Sequence, residues 1–313
     1  MMYRTCGSMD RSNFSGLAQS CAVICILGMY GCSLIVSNTI AYGEVTQNGF
    51  RWVGDDLVGA VRSVREEEIQ LRSVGTEWIE GESTRVVVST FNKDRTFWET
   101  LQLKPLPNEQ SARHSLCFAR GDGNRIVESF VCDAEKRPID GTRAVYRYDS
   151  KGNLVEERVE RVSGQPDSEV RNVYEYDSTG RKSSWRLFDS EGGISTITTF
   201  TPNTENTLLT VQVNTATGDF QAKEVHTLDS MGRATKILSF DHEGKVISRT
   251  YLRYDAHGKR TERIFTGQGV NVREVDSYEY DKQGNWVKKS SRKITPTGEQ
   301  RSIVRRVIDY FPS

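Results

Sequence analysis

Apolar and polar residues alternate along the downstream two-thirds of the chain. Val270, Val272, Tyr278 and Tyr280 fall on one parity, with Asn271, Arg273, Ser277 and Glu279 on the other. Val246, Leu252 and Tyr254 likewise share a parity against Lys245, Arg249 and Arg253. A period of two with one apolar face predicts half-buried β-strands. Upstream, Leu57–Leu71 carries Glu66, Glu67 and Glu68, which would suit a helix. Its Val58, Val61 and Val64 with their β-branched neighbours favour a first strand. Residues 105–112 (PLPNEQSA) read as a loop or short helix.

The strands are separated by one recurring unit, an aromatic or Leu followed by Asp-x-x-Gly. It occurs at Asp149/Gly152, Asp177/Gly180, Asp189/Gly192, Asp229/Gly232, Asp241/Gly244, Asp255/Gly258 and Asp281/Gly284. Worn copies fall at residues 163–166, 201–204, 215–218, 266–269 and 295–298. A turn therefore starts about every thirteen residues, with no gap long enough for a crossover helix, so neighbouring strands should be antiparallel. Asp in first place accepts a backbone hydrogen bond from two residues on, and Gly in fourth place takes positive φ at little cost. The ring before the Asp ends a strand where it can cover its neighbour.

The expected fold is all-β: one long antiparallel meander of hairpins with little helix. A sheet of so many strands does not stay flat, and twist should curl it into a trough, an open barrel or a loosely coiled ribbon. Its two end strands are then left over. The last, near residues 299–310, is expected to pair with a partner or a second copy.

Composition narrows the class. The chain has 313 residues, with 42 basic against 42 acidic side chains. No charge excess drives nucleic-acid binding, and 12 Tyr, 12 Phe and 5 Trp argue against a solvated coil. Residues 17–36 form an apolar run after Arg4 and Arg11, and Ala41-Tyr42-Gly43 places small residues before Glu44. That is the secretory pattern, with cleavage expected after residue 43. An uncleaved membrane anchor, or lipid attachment at Cys32, are the rival outcomes. All three place the remainder in the periplasm or outside the cell: a short linker over residues 44–56, then a single repeat domain over 57–313.

Four of the six cysteines (Cys6, Cys21, Cys25 and Cys32) lie in that leader, leaving Cys117 and Cys132 as a candidate disulfide in an oxidising compartment. A tight turn over residues 121–124 would put Cys117 opposite residue 128. Four residues of offset from Cys132 is about 13 Å along a strand, too far for a bond. A longer loop or a bulge is required.

The units Tyr146–Asn153 and Tyr278–Asn285, Tyr-x-Tyr-Asp-x-x-Gly-Asn, resemble the YD repeats of RHS-type bacterial proteins. The stretches Leu57–Val64, Gly284–Lys289 and Asp309–Phe311 are similar to small exported bacterial proteins that carry such repeats. In large RHS proteins the hairpins spiral into a shell around a toxin. At this length no closed shell is expected. The resemblance implies a strip of hairpins with a surface role, and no activity.

Reaction chemistry is sparse. His114, His226, His242 and His257 lack metal-ligand spacing, and no G-x-S-x-G elbow occurs. The repeated aspartates lack calcium-loop spacing and read as structural turns. No metal, cofactor or catalytic residue is expected. Trp185, Trp286, Tyr148, Tyr176, Tyr254 and Tyr280 recur at strand ends and form a candidate ladder for stacking on a sugar, or simply pack across strands. The expectation is an exported, non-catalytic binding or scaffold module with a protein or glycan partner in the envelope. A glycan- or small-ligand-binding module and an enzyme of unrecognised type are the alternatives. No nucleic acid is expected as a partner, and membrane contact only through an uncleaved signal.

Overall fold

The computed structural model describes residues 45–46, 49–50, 57–93, 97–104, 115–122, 125–133, 135–139, 142–161, 171–189 and 191–312. The expected leader, most of the linker, the 105–112 segment and the worn copy at 163–166 lie outside the described residues. The unit formed by Gly43–Ser313 begins with a two-stranded hairpin, β1 (Val45–Thr46) and β2 (Gly49–Phe50).

Next come β3 (Val61–Val74), β4 (Glu77–Phe91), β5 (Phe97–Lys104), β6 (Ser115–Arg120), β7 (Ile126–Cys132), β8 (Thr142–Tyr148) and β9 (Leu154–Arg161). They are followed by β10 (Arg171–Tyr176), β11 (Lys182–Phe188), β12 (Ile194–Pro202), β13 (Leu208–Thr215), β14 (Phe220–Leu228) and β15 (Ala234–Phe240). The last are β16 (Val246–Tyr254), β17 (Arg260–Gly267), β18 (Val270–Tyr280), β19 (Trp286–Thr295) and β20 (Gly298–Tyr310). The chain is all-β, one antiparallel sheet of sequential hairpins, with no α-helix among the described residues. Leu57–Leu71 supplies β3, a strand.

The ends of the meander do not stay free. β20 pairs antiparallel with β3 from Arg301↔Leu71 to Tyr310↔Val61, and the ladder closes into a barrel. Residues 299–310 are thus paired within the chain, which corrects the expectation of a trough with an unpaired edge strand open to a partner or a second copy. Pairing each end strand with the other satisfies both rows of edge N–H and C=O groups at once.

The turns show how the repeat works. Asp281 N donates to Asn285 O at 2.8 Å and Gly284 N to Asp281 O at 3.1 Å. Asp281 Oδ1 accepts from Gln283 N at 3.0 Å and Asn285 N at 2.9 Å. The carboxylate thus closes the turn at the third residue and again at the fifth, while Gly284 sits at φ 89°. The same construction recurs at Asp177, Asp189, Asp229, Asp241 and Asp255. At Asp149, Oδ1 takes Asn153 N at 2.8 Å. Gly152, Gly180, Gly192, Gly232, Gly244 and Gly258 share the left-handed backbone. In the worn copy at 215–218, Thr215 Oγ1 takes the Asp role by accepting from Asp219 N. Residues 268–269 and 296–297 are instead tight two-residue turns. The copy expected at 201–204 is built on Asn203, two residues later.

Antiparallel alternation sends successive turns to opposite rims. Turns starting at 149, 177, 203, 229, 255 and 281 share one rim, which makes the structural repeat a two-strand unit of 26 to 28 residues. On this rim some ladders stop short and a tyrosine completes them. β15 and β16 pair only as far as Lys236↔Tyr251, and Tyr254 Oη then donates to Ala234 O at 2.9 Å. Tyr148 does the same to Ile126 O, Tyr176 to Leu154 O and Tyr278 to Arg260 O. Where Leu228 replaces the ring, β13 and β14 stay paired through Leu208↔Thr227, and Leu228 N reaches Thr207 O. At Tyr148, Tyr176 and Tyr254 the ring before Asp is therefore a side-chain substitute for a backbone bond, meeting a carbonyl that would otherwise lack a donor.

Cys117 and Cys132 form a disulfide across β6 and β7, with Cα atoms 5.9 Å apart. Cys117 lies opposite Phe130, because the register shifts between Ala119 and Arg120 and the loop is longer than a four-residue turn. The offset from Cys132 is two residues, within reach of a bond.

Candidate functional site

Most of the buried residues fall on one face of the sheet. Across the ring it carries Val64, Tyr146, Asn172, Tyr174, Thr198, Val211, Val213, Glu224, Ile237, Ser248, Leu252 and Asp276, all buried. Cross-strand register places these on a common wall, and its greater burial identifies it as the concave, inner one of the barrel. This wall is polar and aromatic as well as aliphatic.

The outer wall is charged. Arg147 and Arg171 flank Glu156, Arg253 and Arg273 flank Glu262, and Arg292 and Arg301 flank Glu299. Arg186 pairs with Glu175 at 2.8 Å and Lys288 with Glu279 at 2.7 Å. A membrane barrel needs an outward apolar band, and Arg or Lys at mid-bilayer costs about 2–4 kcal/mol each. This outer wall is built for water.

On the inner wall the most concentrated chemistry lies across β8–β12. Tyr146 faces Glu157, Glu157 faces Asn172, and Tyr174 faces Trp185 in direct register. Glu157 Oε2 accepts from Tyr174 Oη at 3.2 Å and Asn172 Nδ2 at 3.3 Å, and Asn172 Oδ1 accepts from Trp185 Nε1 at 2.9 Å. The Tyr174 and Trp185 rings stack with centroids 6.4 Å apart. The Lys182 ammonium lies over Tyr174, 4.5 Å from its centroid, and 5.8 Å from that of Phe200. Burial raises the Glu157 carboxyl, against the bonds from Tyr174 and Asn172 that favour its charge. Burial pushes the Tyr174 and Tyr146 hydroxyls well above the tyrosine range, the nearby Glu157 charge adding to it. Burial pulls Lys182 down to about 8, with Glu157 opposing. Opposite perturbations in neighbouring groups mark a candidate site.

Elsewhere on this wall several charges are matched. Arg260 and Arg263 meet Glu274, Lys289 meets Asp276 at 3.3 Å, and Arg306 meets Glu66 while covering the Trp286 ring at 3.5 Å. His226 Nε2 lies 2.8 Å from Glu224 Oε2, and Glu224 Oε1 accepts from Ser239 Oγ at 3.1 Å. That arrangement ties the serine to the carboxylate rather than to the imidazole, the wrong order for a nucleophilic triad. No group of three metal-ligating side chains occurs among the described residues.

The aromatic ladder read from the sequence divides. Tyr148, Tyr176, Tyr254 and Tyr280 spend their hydroxyls on the rim, Tyr280 on Asp255 Oδ2 at 2.7 Å. Their rings are partly covered: Arg125 over Tyr148, Arg233 over Tyr254, and His257 stacked on Tyr280 at 4.0 Å. Trp286 packs edge-on against Tyr278. Only Trp185 of the six belongs to the β8–β12 cluster. Tyr146, Glu157, Asn172, Tyr174 and Lys182 were not singled out, although Asn172 and Glu157 are polar residues at covered parity positions.

No family model matches the chain, and no curated protein does. Among solved structures, a porin-like protein from Bacteroides uniformis is 12% identical over 81% of this chain and 99% of its own, with a TM-score of 0.42. The Photorhabdus luminescens Tc holotoxin pore is 12% identical over 82% of this chain and 14% of its own, with a TM-score of 0.33. A putative outer membrane lipoprotein-sorting protein domain from Vibrio parahaemolyticus is 8% identical, covering 81% of this chain and 87% of its own, with a TM-score of 0.17. Likeness at this level assigns the chain to no family.

Proposed function

We propose that the protein is an exported, non-catalytic β-repeat module of the cell envelope or extracellular space that binds a ligand on the inner wall of its barrel. The observation that carries this is the Tyr146–Glu157–Asn172–Tyr174–Trp185–Lys182 cluster. Its polar groups hold one another, and its half-buried Trp185, Phe200 and Lys182 put two rings and an ammonium side by side on that wall. The charged outer wall supports a water-borne module. The leader-like first 43 residues and the Cys117–Cys132 disulfide support export, since such bonds persist in oxidising compartments. The Tyr-Asp turns, with their carbonyl-capping rings, support kinship with YD-repeat proteins.

A glycan array probed with wild type, Trp185→Ala and Trp286→Ala tests the reading. Binding that is lost in Trp185→Ala and kept in Trp286→Ala is expected. No binding, or equal loss in both folded variants, counts against an inner-wall site at β8–β12. Turnover of any hydrolase substrate, lost with a single Asp or Glu substitution, would overturn the non-catalytic assignment.

A further inference from the structure

Resting on that binding reading, we infer that Lys182, Tyr174 and Phe200 form the recognition point for a monoanionic carboxylate carried on a flat ring. Three observations converge. Arg260, Arg263, Lys289 and Arg306 each have a carboxylate partner on the inner wall, whereas the Lys182 ammonium has none among the described residues, and unlike the exposed, equally unpaired Arg85 and Lys293 it lies over rings. Two ring faces hold Lys182 in place, from Tyr174 and Phe200. The nearest acid, Glu157, is already engaged by Tyr174 and Asn172.

The chemistry of the ligand follows from the charges. A partly desolvated ammonium attracts an anion more strongly than one in water. The single ammonium can pair with a single negative charge, and the nearby Glu157 carboxyl disfavours a second, which selects a carboxylate over a phosphate dianion. The stacked Tyr174–Trp185 pair offers ring faces beside it, suited to an apolar sugar face or an arene. The two sources share the carboxylate-on-ring chemistry and differ in the ring.

Calorimetric titration of the purified protein with galacturonate, galactose, phenylacetate and acetate tests this. A ring acid, sugar or arene, is expected to bind at least tenfold more tightly than galactose and acetate. Lys182→Met keeps the stem over the rings and removes the charge. It should weaken the ring acid at least tenfold. Near-ultraviolet circular dichroism confirms that the variant is folded. Failure of both ring acids to bind folded wild type overturns the proposal, as does equal binding of acid and neutral sugar, or an affinity untouched by Lys182→Met. In each case a Trp185-dependent hit on the glycan array leaves the broader binding reading standing. Galacturonate against phenylacetate decides between a sugar and an aromatic acid.

Discussion

Asn285 holds the backbone of Val58 on both sides. Its Oδ1 accepts from Val58 N at 2.7 Å and its Nδ2 donates to Val58 O at 2.9 Å, across 227 residues of sequence. The same Nδ2 donates to Tyr310 Oη at 2.8 Å, and Tyr310 Oη donates to Asp281 Oδ2 at 2.5 Å. Asn285 is only 2% exposed. The last Asp turn is thereby fastened to the strand that enters the barrel.

Asn285→Ala removes three contacts at once. Unsatisfied buried polar groups cost about 1–3 kcal/mol, and the chain end can recover part of that from water. A loss of about 1–3 kcal/mol in urea unfolding is expected, with faster amide exchange confined to β3 and β20. Unchanged exchange there would show that the seam does not depend on this side chain.

Tyr254→Phe tests the tyrosine cap. It leaves Ala234 O without its donor and should cost about 1 kcal/mol. Exchange should rise at the β15–β16 end. Leu228→Phe should change little, because its ladder already runs to the rim.

The disulfide closes a separation of 15 residues, and a loop of that size is worth about 3 kcal/mol in the chain-entropy account. Cys117 and Cys132 are 0% and 2% exposed, so a water-soluble reductant should act only after denaturant is added. The double variant Cys117→Ala/Cys132→Ala should unfold at lower urea by roughly that amount.

Two lowered pKa values make stability rise with pH in two separate windows. Asp177 is held at about 2, first by the Thr179 hydroxyl and then by Arg181 N. Its unfolded value lies near 3.8, so its contribution is complete above about pH 4 and fades as pH falls through about 2. The side-chain carbon shift of Asp177 in an acid titration checks this. Lys182 at about 8 binds its proton less readily folded than unfolded, so stability should rise from about pH 8 to 10.5. At neutral pH Lys182→Met should therefore stabilise, by roughly 1–3 kcal/mol. A destabilised Lys182→Met protein would show that the ammonium is better solvated than its place over Tyr174 implies.

The turn grammar was legible because Asp and Gly act locally: each Asp bonds backbone within four residues of itself, so spacing alone exposes it. The true two-strand period was masked because Asp189 and Asp241 place similar turns on the opposite rim and halve the apparent repeat. Barrel closure was illegible for a different reason. β20 meets β3 through pairs such as Arg306↔Glu66, which no local pattern announces. The β8–β12 cluster left a faint signal. Asn172 and Glu157 sit where the alternation calls for apolar side chains, and Lys182 looks like any residue after a turn until Tyr174 and Phe200 are placed around it.

The β20–β3 seam also governs when the native state can exist. Every other strand pair can zip up while synthesis or translocation is still under way, since its two members are sequence neighbours. This one joins positions about 240 apart, a slow kind of closure. The chain therefore stays an unsealed ribbon until β20 is available, so the step that completes the molecule comes last.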